Sequence, residues 1–311
     1  MAGHAADPDN AFAALTDRVG RAGIRTAVVH PVDVLSLSGA MAGYEAGLIV
    51  PVLIGPAARI AEAAKAAGID LSGIEIVDTP HSHAAASEAV KLAASGNVSA
   101  LMKGALATSE LMGACVATSG GLRTERRMSH IFVMEAPAWP TWLLISDGGL
   151  NIAPDLMTKR WIVQNAIDLA RAIGIDKPRT AILSATELVD PHIPSTIDAA
   201  ALCKMADRGQ ISGGPIDGPL AFDLAISMAS VETKGLISLV AGKADILIVP
   251  GIEAGNMLAK QLDYLAGAAA AGLVLGAKVP IILTSRSDGV RERVASCALA
   301  AAYLHWIEAV K

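Results

Sequence analysis

Aromatic residues make up only 3% of this chain of 311 residues, although 53% of it is hydrophobic. The apolar mass is therefore Ala, Val, Leu and Ile, which suits buried strands interleaved with Ala-rich helices. Positive charge is also short. The net charge of −5 argues against the basic footprint of a nonspecific nucleic-acid binder. It leaves room for a small anionic ligand, for which a few local arginines suffice. Cysteine is scarce: Cys115, Cys203 and Cys297 show no paired spacing, which argues against a disulfide framework and a zinc site. They read as small buried hydrophobes of a cytoplasmic chain rather than as nucleophiles. A membrane-spanning run is missing too. Mean hydropathy is +0.48, yet the longest uncharged apolar stretch, Tyr264 to Ala277, carries three glycines. It falls short of the ~20 residues a spanning helix needs. It reads as a helix end, a turn and the start of a strand. Met1 to Asp7 lacks a basic region followed by an apolar core, so no signal peptide is expected.

Several catalytic signatures are absent as well. There is no G-x-x-x-x-G-K-[ST] phosphate loop, no strand-borne G-x-G-x-x-G and no G-x-S-x-G elbow. His192 stands between Pro191 and Pro194 with no evident serine partner. These gaps argue against nucleotide hydrolysis and triad esterase chemistry.

What is present is regular alternation. Candidate strands are Thr26–His30, Leu48–Leu53, Ile74–Val77, Ala100–Lys103, Ile131–Met134, Trp142–Ser146, Thr180–Leu183, Asp245–Val249 and Val279–Leu283. Candidate helices are Pro56–Ala67, His81–Ala94, Ser109–Ala117, Leu156–Ile173, Thr196–Ala206, Gly255–Ala268 and Val290–Trp306. This pattern predicts an α/β fold with a mostly parallel sheet covered on both faces. Ligands of such sheets sit outside the carboxyl ends of the strands. Charge density peaks at Thr124–Ser129, which places a domain boundary there.

The most informative stretch follows the run Val279–Leu283. It reads Thr284-Ser285-Arg286-Ser287-Asp288 and opens the last helix pattern. Hydroxyls, a guanidinium and a carboxylate thus share one strand–turn–helix junction, where backbone N–H groups favour an anion. Arg286 is suited to clamp a phosphoryl oxygen, and Ser285 to donate to a developing oxyanion. Asp288 and Glu292 are the nearest candidate bases. N-capping by Ser287 or Asp288 explains one polar residue of this turn, not four.

Other constellations are weaker. Arg123, Arg126 and Arg127 form a positive patch before a strand, although a solvated interdomain loop would look the same. Lys103 ends a candidate strand and Thr108 opens the next helix, which suits anion contact unless the lysine merely snorkels from an edge. Asp147 and Asn151 lie in a further strand-end turn, where such residues are common for their own sake. Asp217, Asp223 and Asn256 belong to turns leading into helices. Their spacing fits no metal pattern, and they read as cleft-lining residues.

These stretches resemble the phosphate acetyl/butyryl transferase family from about Thr26 to the end. The matching segments include Leu101–Gly104, Gly121–Thr124, Ser129–His130, Asn151–Pro154, Pro194–Asp198, Lys204–Gln210, Asp217–Ala221, Glu253–Lys260 and Leu283–Arg286. The nearest subgroup is similar to the transferase part of bifunctional enoyl-CoA hydratase/phosphate acetyltransferase-like proteins, with no hydratase-like extension expected. The resemblance implies two α/β/α lobes with a cleft between them, isocitrate/isopropylmalate dehydrogenase-like. Residues 1–127 with 273–311 would form the first lobe, and 128–272 the second. It also implies a homodimer; the composition adds the expectation of a cytoplasmic chain with no metal, no cofactor and no nucleic-acid or membrane partner.

The implied reaction is acyl-CoA plus phosphate giving acyl phosphate plus CoA, with coenzyme A as a substrate. Phosphate acetyltransferase is the first reading and phosphate butyryltransferase the alternative. A carboxylate would take the CoA thiol proton, and the thiolate would attack the acyl-phosphate carbonyl. Ser285 would support the thiol or oxyanion, and Arg286 would hold phosphate. The family's aspartate falls on Glu292, whereas Asp288 matches the acid of the butyryl-type Ser-Arg-x-Asp pattern. Both remain open, about one helical turn apart. Lys103, Thr108, Arg123, Arg126, Asn151 and Asn256 are the expected phosphate- and CoA-binding residues. One departure is Gly113, where acetyl-specific members carry an arginine; its task is expected to pass to Arg123, Arg126 or Lys103. A non-catalytic acetyl-CoA-sensing module is a second class of reading, disfavoured by the retained Ser285, Arg286 and acid. A dehydrogenase of the same fold would need metal-binding aspartates and a nicotinamide site, and neither pattern is found.

Overall fold

The computed structural model describes residues 11–118, 121–285 and 288–310. The chain divides into two compact units. A middle unit is built on Arg127–Ala270, and an outer unit on Phe12–Arg126 together with Ala271–Ala309. The strands β1 (Ile24–Val29), β2 (Ile49–Gly55), β3 (Glu75–Asp78) and β4 (Ala100–Lys103) open the outer unit. The middle unit holds β5 (Ser129–Glu135), β6 (Leu143–Ser146), β7 (Thr180–Leu183), β8 (Ile216–Leu220) and β9 (Ile246–Ile248). The chain then returns through β10 (Ala269–Leu275) and β11 (Ile281–Ile282).

In the outer unit the order is β3-β2-β1-β4-β11-β10. Strands β3, β2, β1, β4 and β11 pair in parallel, and β10 runs antiparallel to β11. The cores of β1 and β2 are continuous apolar runs because helices cover both faces of a parallel sheet. Pro51 has no N–H to give, and it sits where β3 has not yet begun to pair: that pairing starts at Val52. In the middle unit the order is β5-β6-β9-β7-β8, antiparallel between β5 and β6 and parallel from there on.

Several elements differ from expectation. The Asp217-Gly-Pro stretch is strand rather than turn, and its Pro219 is tolerated because β8 is an edge strand whose register against β7 shifts between Ala181 and Leu183. Tyr264–Ala277 is, as expected, a helix end, a turn and a strand: the end of helix Ile252–Ala266, a left-handed Gly267 cap and β10, which forms in full there. The helix Val34–Glu45 was not anticipated at all. Asp33 starts it by accepting the Ser36 N–H at 2.7 Å. Gly39 and Gly43 face the last helix, Val290–Val310: a Cβ at 39 would lie 2.1 Å from Arg293 Cδ, and one at 43 would lie 3.0 Å from Cys297 Sγ. Glycines one turn apart let the two helices approach closely.

Another glycine sets the geometry of the site. A Cβ at Gly104, just past β4, would lie 2.4 Å from Val29 O and 2.8 Å from His30 O. The Gly104 N–H donates to Val29 O at 2.9 Å. Gly104→Ala is expected to cost about 1–3 kcal/mol through overpacking. Thermal unfolding reads this directly, and an unchanged Tm would show that the approach of β4 to β1 has slack.

Candidate active site

The parallel neighbours β4 and β11 end at one edge, so the residues that follow them emerge together. Ile281 lies opposite Leu101 and Ile282 opposite Met102. Lys103 and Thr284 meet there although 181 residues separate them. Lys103 is only 3% exposed, and its Nζ donates at 3.4 Å to both Gly104 O and Thr284 O. Both bonds are longer than the usual range. Thr108 is the first residue of the helix Thr108–Val116, whose cap residue, Ala107, offers the first N–H groups no side-chain acceptor.

The turn after β11 is closed by its own carboxylate. Asp288 Oδ2 accepts the Ser285 N–H at 2.7 Å, and the Asp288 N–H donates to Ser285 O at 3.3 Å. Asp288 therefore reaches back onto an amide, much as the acid of a capping box does. Glu292, in the first turn of the last helix, is different. Its Oε2 lies over Gly289, 2.9 Å from where a Cβ would sit, and among the described residues no hydrogen bond holds its carboxylate. Arg286 and Ser287 lie outside the described residues.

One residue of this site was not anticipated. Arg293 is 3% exposed. Its Nη1 donates to Thr284 Oγ1 at 2.9 Å, its Nη2 to Ser285 O at 3.1 Å and its Nε to Asp288 O at 3.3 Å. The available signal was positional. Arg293 falls on the same face as Ser296, Cys297 and Ala300, which are buried, so a charge sits at core spacing in an Ala-rich helix.

The arginine patch is placed elsewhere in the outer unit. Arg123 is exposed and its backbone bridges Ala277. Thr124 Oγ1 donates to Gly276 O at 2.7 Å and accepts the Arg126 N–H at 3.0 Å. Gly276 and Ala277 precede β11, whereas Ser285 follows it. These contacts put the backbone of Arg123 and Arg126 at the amino end of that strand, not beside Lys103 and Ser285. Gly113 is exposed, with open space where a Cβ would project. Of the residues expected to stand in for an arginine there, Lys103 is the one the structure brings to the Ser285 turn.

Asn151 and Asn256 both bond to the turn after β6 in the middle unit. The Asp147 carboxylate accepts the N–H groups of Gly149 at 2.8 Å, Leu150 at 3.0 Å, Asn151 at 3.2 Å and His130 at 3.3 Å. Asn151 Nδ2 donates to Met128 O at 2.9 Å and also to Asp147 Oδ2. Both its amide hydrogens are engaged, which leaves Oδ1 as its acceptor for a ligand. Asn256 is exposed, its Nδ2 3.4 Å from Gly148 O. Asp217 lies in strand β8 rather than in a turn; it accepts the Gly218 N–H at 2.8 Å and pairs with the Ser238 hydroxyl. Among the described residues no group of His, Cys, Asp and Glu is placed to hold a metal ion.

The thiols are chemically quiet. Burial pushes Cys115 and Cys297 up to about 12, and burial with the nearby Asp217 and Asp207 charges does the same for Cys203. At pH 8 roughly one thiol in ten thousand would be thiolate. Incubation with iodoacetamide at that pH is therefore expected to leave catalytic turnover intact. Loss of rate in step with alkylation, followed by mass spectrometry, would contradict this.

The chain is similar to known proteins over most of its length. A family model described as phosphate acetyl/butaryl transferase matches residues 82–301. A phosphate acetyltransferase of Rhizobium meliloti is 59% identical over 89% of this chain and 88% of its own length. A phosphate butyryltransferase of Clostridium beijerinckii is 43% identical over 80% of this chain and 83% of its own. Among solved structures, a branched-chain phosphotransacylase from Enterococcus faecalis V583 superposes with a TM-score of 0.77 at 30% identity, covering 91% of this chain and 99% of that one.

Proposed function

Because the chain belongs to the phosphate acetyl/butaryl transferase family, we propose that it moves an acetyl group between coenzyme A and inorganic phosphate. Acetyl-CoA and phosphate give acetyl phosphate and CoA, and the reverse. The observation that carries this reading at the level of the site is the β4–β11 pairing, which sets a buried ammonium against the Ser285 turn. The acetyl preference rests on the relatives: a phosphate acetyltransferase matches at 59% identity, a phosphate butyryltransferase at 43%.

Written toward acetyl-CoA, the CoA thiol gives its proton to a carboxylate. The thiolate attacks the carbonyl carbon of acetyl phosphate and a C–S bond forms; the bond between that carbon and the bridging oxygen then breaks, its electron pair leaving on phosphate. Glu292 takes the role of base. Its carboxylate carries no hydrogen bond among the described residues, whereas Asp288 is committed to the Ser285 amide. The Ser285 hydroxyl donates to the tetrahedral oxyanion. Lys103 offsets the charge of the departing phosphate, which Arg286 also binds. Thr108 opens a helix at the same strand edge, where N–H groups suit an anion. A homodimer and a cytoplasmic setting complete the reading, the latter supported by three unpaired thiols. No described helix is long and apolar enough to cross a membrane.

Steady-state rates with acetyl-CoA and butyryl-CoA at saturating phosphate test the assignment. The expected result is a kcat/KM for acetyl-CoA at least about tenfold above that for butyryl-CoA, since one or two methylenes change pocket discrimination by that order. The reverse ratio would make the chain a phosphate butyryltransferase. Tight acetyl-CoA binding without turnover would make it a sensing module.

A further inference from the structure

We infer that Arg293 is the positioning residue of the Ser285 turn, holding the reacting groups in register without touching the substrate. The inference rests on the proposed acyl transfer and deepens it. Three nitrogens of one guanidinium grip the turn from both of its ends: Thr284 Oγ1 and Ser285 O before it, Asp288 O after it. The planar fork fixes the angles between those bonds, which a flexible ammonium does not. The stem is boxed in as well, because the close approach at Gly39 leaves 2.1 Å between a Cβ built there and Arg293 Cδ.

A buried charge in this place calls for a reason. Burial works against the guanidinium, while the charges of Asp288 and Asp33 favour it from nearby. Its hydrogen bonds go to two carbonyls and a hydroxyl rather than to a carboxylate. Packing alone would be served as well by an apolar side chain of similar volume. What an apolar side chain does not supply is the orientation of Thr284, Ser285 and Asp288. Thr284 also lies between two buried cations, its Oγ1 bonded to Arg293 and its O to Lys103. Arg293 thereby sets the distance between the Ser285 hydroxyl and the Lys103 ammonium, the two groups that meet opposite ends of the breaking bond. A misplacement of about 1 Å in such a constellation costs on the order of a hundredfold in rate.

The test uses the full-length chain and compares wild type with Arg293→Met and Arg293→Lys, with rates normalised to folded protein by circular dichroism and size-exclusion chromatography. The expected result is a kcat about a hundredfold lower for R293M, with the acetyl-CoA KM within about threefold of wild type. R293K is expected to recover about tenfold of that loss by reaching part of the acceptor set. A residue that only stabilises the fold would move Tm and the active fraction, not this split. An R293M enzyme with kcat within about threefold of wild type would overturn the inference, as would an R293K enzyme no better than R293M. Should R293M not fold, Thr284→Val decides, because it removes only the acceptor of Nη1. A lower kcat at unchanged KM supports the inference, and an unchanged kcat overturns it. Wild type that turned over no acyl-CoA would remove the proposed function, and the inference with it.

Discussion

Glu292→Gln is expected to lower turnover of acetyl-CoA and phosphate by about 10²–10⁴-fold with little change in Tm. The reason is local. A general base needs a lone pair free for the proton, and the Asp288 carboxylate is already engaged by an amide N–H. Asp288 accepts the Ser285 N–H at 2.7 Å, whereas no hydrogen bond to the Glu292 carboxylate exists among the described residues. Gln keeps the shape and removes only the proton acceptor. Asp288→Asn, by contrast, is expected to act mainly on stability, by about 1 kcal/mol, because an amide oxygen still accepts from Ser285 but as a weaker acceptor. Paired kinetics and thermal melts separate the two acids. A large rate loss for D288N with little for E292Q would reverse the assignment.

Lys103→Met is expected to leave the fold intact while kcat/KM for phosphate falls by about 10²–10³-fold. Lys103 is 3% exposed at the end of β4, and its Nζ lies 3.4 Å from both Gly104 O and Thr284 O. Met matches the length of the lysine stem and has no charge to desolvate, so the core is expected to accept it and the fold to persist. The phosphate would feel the change because a cation in a water-poor site acts through a low effective dielectric. A variant that lost stability but kept its phosphate kinetics would make Lys103 a structural lysine and move the phosphate site elsewhere.

Much of the fold was legible because parallel strands buried on both faces are continuous apolar runs. β4 and β7 coincide with their expected ranges, and the other foreseen strands differ at their ends. The helix Val34–Glu45 was illegible for a physical reason: its Ser36, Ser38, Gly39 and Gly43 are poor helix formers, and the glycines serve close packing against Arg293 and Cys297. Their four-residue spacing and Asp33 as a cap were the signal to look for. β8 was hidden by Gly218 and Pro219, which only an edge strand accepts. The site was partly legible. The strand–turn–helix junction at Ser285 could be read from residue types alone. Its partnership with Lys103 depends on β11 inserting beside β4, which no local pattern encodes. The arginines were the weakest part, since a positive patch in sequence carries no information about which end of a strand it lies on; Arg123 bridges Ala277, ahead of β11.

Phosphate acyl transfer is tested most directly by following the thioester absorbance of acetyl-CoA with the purified chain, with and without phosphate, and assaying acetyl phosphate as the hydroxamate. The predicted result is thioester loss that requires phosphate, with one acetyl phosphate formed per thioester consumed. No phosphate-dependent loss from acetyl-, propionyl- or butyryl-CoA would contradict it.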